Sequence, residues 1–373
     1  MRIALVCDWF HPRVGGIELH LHDLATRLTT AGHDVVVVTP TAGLSDVDGV
    51  RVHRIRAPRA PGFGFLCTRG GIRAVGAAIA AEQVDVAHCH VSIISPAALG
   101  GALHANSQGV PTVVTFHSVV PRTQRWLGHG MNVLLRMPTW RARFSAVSQR
   151  VVRDVRRLAR NHPMAILPNG IDAAFWRGSG VANAAVPDTV RLISVMRLNH
   201  KKRPLALVGL MRRVRALLPN GPRVTLRVIG DGPKRSLLER AISFYGLGDT
   251  IELAGHRSRP DIRDALAESD CFVLPTVRES FGIAALEARC AGLPVVAMAT
   301  SGVAEVIGHG REGLLARSDA ELARHVVTLA RDEALRSAIA AHNRTTPPPH
   351  DWPRVIDANL ALYQDAIALR RTA

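Results

Sequence analysis

Residues 278–288 read Arg-Glu-Ser-Phe-Gly-Ile-Ala-Ala-Leu-Glu-Ala and place two glutamates, Glu279 and Glu287, eight positions apart. The apolar run Cys271–Leu274 just before them reads as a buried strand that stops at Pro275, and Ser280-Phe281-Gly282-Ile283 reads as a turn opening into a helix. A helix N-terminus presents N–H groups without intrahelical partners and a partial positive charge, which suits an anion such as a phosphate. Carboxylates accept hydrogen bonds from sugar hydroxyls. Glu279 ahead of the terminus and Glu287 within the helix could therefore address one ligand. Either glutamate alone would read as a solvated side chain; the order strand, carboxylate, exposed amides, second carboxylate is what points to chemistry.

Other strings place compatible groups at predicted strand ends. Gly15-Gly16-Ile17-Glu18 lies between the first strand and an amphipathic helix. Glycine lets a backbone approach a phosphate, although two glycines serve a plain turn equally well. His117 follows Thr115-Phe116 at a strand end, where parallel sheets bind ligands, whereas a lone histidine is ordinarily structural. Ser194–Arg203 carries Arg197, Lys201, Lys202 and Arg203, basic groups that can neutralise a diphosphate or simply form a solvated face. Ile229-Gly230-Asp231-Gly232-Pro233 is a strand end and tight turn, with structural and ligand-facing readings in balance. Asp46-Val47-Asp48 has the spacing of a metal-holding Asp-x-Asp, but it sits in an early polar loop and reads as structural. In His88-Cys89-His90 the alternation of faces along a strand argues against a shared metal.

These strings need elements to position them. Predicted strands are Ile3–Cys7, Val35–Thr39, Val50–Ile55, Val84–His88, Thr112–Phe116, Phe144–Val147 and Ala165–Leu167. A second series follows, Leu192–Val195, Val224–Ile229, Thr250–Leu253, Cys271–Leu274 and Val295–Ala297, with helical patterns between. Continuous apolar strands separated by helices predict an α/β chain with parallel sheets covered on both faces. A length of 373 residues is too great for one ordinary core and predicts two doubly wound domains. The expected bounds are 1–173 and 190–350, joined by a linker at 174–189 rich in Gly, Ala, Asn and Pro. A helix in 351–373 is expected to pack back on the first domain. Ligands of such sheets sit at the carboxyl ends of the strands, so the expected site is a cleft lined by the strings above.

Composition excludes several classes. No run of about 18 uncharged apolar residues suggests a membrane span, and the N-terminus lacks the pattern of a signal peptide. Five cysteines without a Cys-x-x-Cys suit buried thiols in a cytoplasmic protein. A formal net charge of +17 favours anionic partners, but aromatics are only 4% and no nucleic-acid motif occurs, so nucleic acid is not expected. Arginines are dense at 54–73 and 122–160, beside Phe63, Phe65 and Leu66 in the first stretch. They read either as a solvated surface or as a patch for an anionic membrane.

Taken together, the strings resemble the E-x7-E signature of retaining nucleotide-sugar glycosyltransferases of family 4, a group that includes phosphatidylinositol mannosyltransferases and related bacterial group 1 transferases. The resemblance runs from residue 1 to about residue 360. It implies the GT-B fold, two Rossmann-like domains facing across a cleft. It implies that Gly16, beside Gly15, approaches the donor diphosphate and that His117 lies near the anomeric centre. Arg197 and Lys202 would stabilise the leaving diphosphate. Glu279 and the amides of Phe281, Gly282 and Ile283 would hold the sugar, Glu287 the ribose, and Gly230 and Gly232 would frame the nucleotide. His117, Glu279, Arg197 and Lys202 are thus the implied catalytic set. Met196 and Arg203 replace glycines of the family pattern, which leaves Lys201 and Lys202 competing for one role, and Ser301 replaces another glycine. Further implications are transfer with retention from GDP-mannose or a UDP-hexose, without cofactor or metal. The implied acceptor is a membrane glycolipid or cell-envelope polysaccharide precursor, lipid-linked or polyanionic. The implied location is cytoplasmic and peripheral on the inner face of the membrane. The alternatives are a catalytically silent nucleotide-sugar-binding protein and a non-hydrolysing sugar epimerase on the same fold.

Overall fold

The computed structural model describes residues 1–13, 15–56, 59–60, 64–65, 68–92, 95–119, 136–159, 162–177 and 188–371, without the side chains of 59, 60, 64, 65 and 69. The chain divides into two units, Met1–Gly170 with Trp352–Ala373, and Ile171–Asp351.

The first unit is built on β1 (Arg2–Cys7), β2 (Asp34–Thr39), β3 (Asp46–Val47) and β4 (Val50–Arg54), with β5 (Arg59–Ala60) and β6 (Gly64–Phe65) forming a separate hairpin. It continues through β7 (Val86–Val91), β8 (Thr112–Phe116), β9 (Arg143–Ala146) and β10 (Met164–Ile166). The described sheet runs β10-β9-β8-β7-β1-β2-β4-β3, parallel except for the short β3 edge. Every residue from Ile3 to Cys7 is buried, as a strand covered on both faces requires. Over the sheet, the helix Gly16–Thr30 buries Leu21, Leu24, Ala25 and Leu28, a stripe at helical spacing. The final helix, Trp352–Arg371, gives Trp352, Val355, Ile356, Leu362 and Tyr363 to the same core.

The second unit holds β11 (Thr189–Val195), β12 (Arg223–Ile229), β13 (Ile251–Gly255), β14 (Cys271–Leu274), β15 (Val295–Met298) and β16 (Gly313–Ala316). Its order is β13-β12-β11-β14-β15-β16, all parallel. The chain builds outward from β11 in one direction and then from β14 in the other. The direction of winding therefore reverses between β11 and β14, and the carboxyl ends of strands at such a reversal are where parallel sheets bind ligands.

Several expectations need adjustment. Residues 173–177, expected to end the first domain and begin a linker, form the helix Ala173–Arg177 of the second unit, pinned by the buried Trp176. Positions 178–187 lie outside the described residues. Strand β16 was not predicted, because Gly-Leu-Leu-Ala has no β-branched residue. Of the two basic stretches, 122–135, Phe63 and Leu66 lie outside the described residues, as does the side chain of Phe65. Arg54 is a structural residue whose guanidinium donates to the carbonyls of His11, Thr41 and Leu44. Among the described residues no helix is long and apolar enough to cross a membrane.

Candidate functional site

In the second unit, the loop leaving β11 carries Arg197, exposed, and then one 3-10 turn, His200–Lys202. The Asn199 side chain caps that turn by accepting from Lys202 N at 3.1 Å. Lys202 Nζ reaches across to the loop leaving β14 and donates to Glu279 Oε2 at 2.5 Å. Glu279 is 8% exposed, and its other oxygen accepts from Ser280 N at 3.1 Å. Thr276 Oγ1 donates to Lys202 O at 3.2 Å, so the two loops are laced together at the reversal of winding. This pairing separates the two lysines that the sequence left in competition: Lys202 is the one that joins the carboxylate.

The two departures from glycine have distinct local accounts. Arg203 adopts a left-handed backbone, φ +56°, the conformation in which glycine would sit unstrained. It is held there by Pro275 O at 2.9 Å and by an ion pair to Asp319 at 2.7 Å. Met196 is buried and its backbone is bonded to β12 through Met196 N and Ile229 O. Here the glycine requirement has moved to the partner strand end. Gly230 sits at φ +131°, and a Cβ on it would lie 1.9 Å from Met196 O. Gly232, at φ +153°, would meet Leu198 O at 2.6 Å. Both glycines thus have a structural duty: they let the 229–233 turn close on the loop that presents Arg197.

The helix Ile283–Cys290 begins at Gly282, which is left-handed at φ +95°. Its first intrahelical bond runs from Leu286 N to Gly282 O, so the amides of Ile283, Ala284 and Ala285 precede the bonded ladder. Ile283, Ala284 and Glu287 form its partly exposed stripe, while the positions between and after them are buried. Glu287 thus shares the open face with the helix start. The Phe281 ring is buried against His350, which leaves only its backbone to meet a ligand. The string that holds Ser301 supports this loop through its next residue: Gly302 N donates to Glu279 O at 2.9 Å, and a Cβ on Gly302 would fall 2.1 Å from Ser280 O. Ser301, in the place of a family glycine, caps this 3-10 turn through Val303 N. A depression at the opposite ends of these strands is lined by Arg191, Arg227, Glu252 and Glu268, but their charges are consumed in ion pairs with one another and with Asp270.

In the first unit, Gly15 precedes the helix Gly16–Thr30 as its N-cap. Gly15 is extended, φ −171°, a conformation open to any residue, so any demand for glycine there comes from close approach. Glu18 in the first turn is buried and pairs with Arg13 at 3.2 Å. Asp8, at the end of β1, accepts from Ala97 N and Ala98 N at the start of the helix Pro96–Ser107, and burial pushes its carboxyl up to about 6. Asp46-Val47-Asp48 makes the β3 turn, with Asp46 accepting from Gly49 N at 3.0 Å.

His117 lies at the carboxyl end of β8, 4% exposed, with Nε2 bonded to His90 Nδ1 at 2.9 Å. His88 and His90 are two apart on β7 and share a face, with ring centroids 3.9 Å apart. The alternation expected of this string therefore separates only Cys89 from the pair. His88 is bonded on both nitrogens, to Tyr363 Oη at 2.8 Å and Thr115 Oγ1 at 2.6 Å. His20, from the helix Gly16–Thr30, lies 5.9 Å from His117 and stacks on Trp352 at 5.3 Å. Burial holds all four imidazoles below their ordinary range, His20 to about 4, His88 to about 3, and His90 and His117 well below it, so each is neutral near pH 7. Among the described residues no group of three or more His, Cys, Asp or Glu could hold a metal ion.

Two family models match the chain, "Glycosyltransferase Family 4" over residues 14–175 and "Glycosyl transferases group 1" over residues 182–346. A phosphatidylinositol N-acetylglucosaminyltransferase subunit of Arabidopsis thaliana is 28% identical over 315 residues, covering 82% of this chain and 69% of that protein. A glycogen synthase of Mycobacterium tuberculosis is 29% identical over 402 residues, covering 97% and 94%. Among solved structures, sucrose-phosphate synthase from Thermosynechococcus elongatus superposes with a TM-score of 0.78 at 18% identity, covering 98% of this chain and 99% of that one. Anabaena HepE in complex with UDP and glucose gives 0.75 at 20%, covering 97% and 98%. These likenesses show the fold, which is GT-B.

Proposed function

This chain belongs to the family 4 glycosyltransferases, and from that premise we propose that it moves a hexosyl group from a nucleotide diphosphate-sugar to an acceptor hydroxyl with retention of configuration. The observation that carries the donor assignment is the Lys202–Glu279 pair at the reversal of winding between β11 and β14. It gathers a cation, a carboxylate and a helix start at the place where such sheets bind nucleotides.

In this reading Arg197, Lys202 and the amides of Phe281, Gly282 and Ile283 take the diphosphate and stabilise the charge that grows on it as the glycosidic bond breaks. Glu279 accepts from sugar hydroxyls with the lone pairs that Lys202 and Ser280 leave over, and Glu287 accepts from the ribose. Gly230 and Gly232 frame the nucleotide by fixing the Arg197 loop. In the first unit Gly15 and Gly16 bring backbone close to the diphosphate, and His117 hydrogen-bonds the sugar or the leaving phosphate. The acceptor oxygen attacks from the face that the diphosphate departs, and a phosphate oxygen takes its proton. The fixed cations supply the charge that a divalent metal supplies elsewhere, so the reaction proceeds without one.

Supporting a UDP-hexose donor, the Anabaena neighbour was solved with UDP and glucose, and GDP-mannose is the second candidate. Two acceptor classes have support, a glycolipid from the phosphatidylinositol N-acetylglucosaminyltransferase subunit and a polysaccharide from glycogen synthase. We favour the glycolipid, because a chain of net charge +17 suits an anionic membrane surface. The test is nucleotide release from UDP-glucose, UDP-N-acetylglucosamine, GDP-mannose and ADP-glucose, with phosphatidylinositol or glucan as acceptor. Acceptor-dependent release of UDP or GDP is expected. Epimerised sugar without transfer would replace this reading.

A further inference from the structure

His90 makes no contact with a ligand in the reading above, yet it governs what His117 can offer one. The two rings share a single hydrogen bond, His90 Nδ1 to His117 Nε2 at 2.9 Å, so one of these nitrogens carries the proton and the other accepts it. Both rings are buried, at 3% and 4% exposure, and both are neutral, because burial and the neighbouring imidazoles oppose a charge. A neutral imidazole has one N–H and one bare nitrogen.

The far nitrogen of His90 decides between the two arrangements. His90 Nε2 is buried with no hydrogen-bond partner, and the adjacent His88 has both of its nitrogens engaged by Tyr363 and Thr115. If His117 donated, His90 would bury an N–H on Nε2 without an acceptor. If His90 donates, Nε2 is only a bare lone pair. An orphaned buried N–H is rarer and costs more than an under-satisfied acceptor. The proton therefore sits on His90 Nδ1, His117 accepts it on Nε2, and the remaining His117 proton sits on Nδ1.

We propose that His90 is a positioning residue that fixes His117 as the neutral tautomer with its proton on Nδ1, a hydrogen-bond donor toward an oxygen of the donor sugar or its leaving phosphate. The inference rests on the proposed role of His117. His20, stacked on Trp352 and 5.9 Å from His117, brackets the same ring from the helix side.

The full-length protein labelled with 15N-histidine tests this by two-bond 15N–1H correlation at pH 7, with His117→Gln assigning the His117 signals. The expected pattern for His117 is a protonated Nδ1 and a bare Nε2. His90→Asn, whose side-chain amide can stand where the Nδ1–H stands, is expected to keep that pattern, and His90→Leu to lose it. In turnover, His90→Leu is expected to lower kcat about tenfold with donor KM changed far less, and His90→Asn to restore most of it; tenfold corresponds to about 1.4 kcal/mol. A proton on Nε2, an imidazolium in the wild type, or an unchanged kcat in a folded His90→Leu overturns the proposal. The tautomer is read without turnover, so a chain that transfers no sugar refutes the proposed function while the resonance pattern still decides the role of His90 on the ring. Should His90→Leu fail to fold, the wild-type pattern and His90→Asn still decide.

Discussion

Glu279 keeps two hydrogen-bond donors, Lys202 Nζ and Ser280 N, and stays almost wholly buried between them. Removing the cation leaves a buried carboxylate with one neutral donor, which costs about 1–3 kcal/mol. Lys202→Ala should therefore lower the denaturation midpoint and weaken donor binding together, whereas Lys201→Ala, outside this pair, should spare the midpoint. Equal effects at the two positions would contradict the assignment. No sequence reading could separate these neighbours, since the partner that distinguishes them lies 77 positions away. The buried histidines make a second prediction at this scale. An unfolded imidazole takes up its proton near pH 6.5, but His20 and His88 stay neutral in the fold down to about 4 and about 3, and burial likewise holds His90 and His117 well below the ordinary range. Below pH 6.5 the unfolded chain thus binds more protons, and each ring removes about 1.4 kcal/mol of stability per pH unit. Asp8, raised to about 6, binds its proton preferentially in the fold and opposes one of the four rings below that pH. Urea midpoints measured from pH 7.5 to 5 should fall steeply below 6.5, and a flat profile would show that the rings are not buried neutral.

At the scale of elements, the loops are positioned by backbone contact as much as by side chains. Gly230 and Gly302 each admit a carbonyl where a Cβ would stand, 1.9 Å from Met196 O and 2.1 Å from Ser280 O. Gly230→Ala combines that clash with φ +131°, so it should destabilise by at least about 2 kcal/mol and impair turnover by displacing Arg197. Thermal unfolding and donor titration of the purified variant check both effects. Arg203→Gly is the contrasting case. It relieves a left-handed strain of roughly 1 kcal/mol while losing a partly exposed ion pair worth about the same or less and the hydrogen bond to Pro275 O, so at most a small drop in midpoint is expected. The strand Cys271–Leu274 was legible as an apolar run, with Phe272 and Val273, that stops at Pro275. Gly313–Ala316 was not, because its strand state is imposed by pairing with β15 and not by its own residues. The shared face of His88 and His90 was missed, because alternation was read as separating them when it separates only Cys89, and their burial beside Tyr363, 275 positions from His88, has no local signal.

For the whole molecule, the alternation of apolar strands and helices was enough to predict two parallel sheets, and the chain has them. The sequence pattern could not supply the strand order, and the proposed donor site is argued from that order, because winding reverses between β11 and β14. The membrane-facing reading of 122–135 falls outside the described residues, so it rests on composition. In the proposed mechanism Arg197, Lys202 and the helix start supply the positive charge that the leaving diphosphate needs, and it predicts turnover unchanged by EDTA. A strict requirement for Mg²⁺ would overturn that part of the mechanism. The central claim is that the second unit holds a nucleotide diphosphate-sugar through Glu279 and Glu287 on either side of one helix start. Calorimetric titration of UDP, GDP, ADP and their sugars into the wild type and Glu287→Ala tests it most directly. The account predicts that at least one nucleotide binds the wild type, and that Glu287→Ala weakens it about tenfold or more, roughly 1.4 kcal/mol, without lowering the thermal midpoint. No binding by the wild type, or equal affinity in the variant, would contradict it.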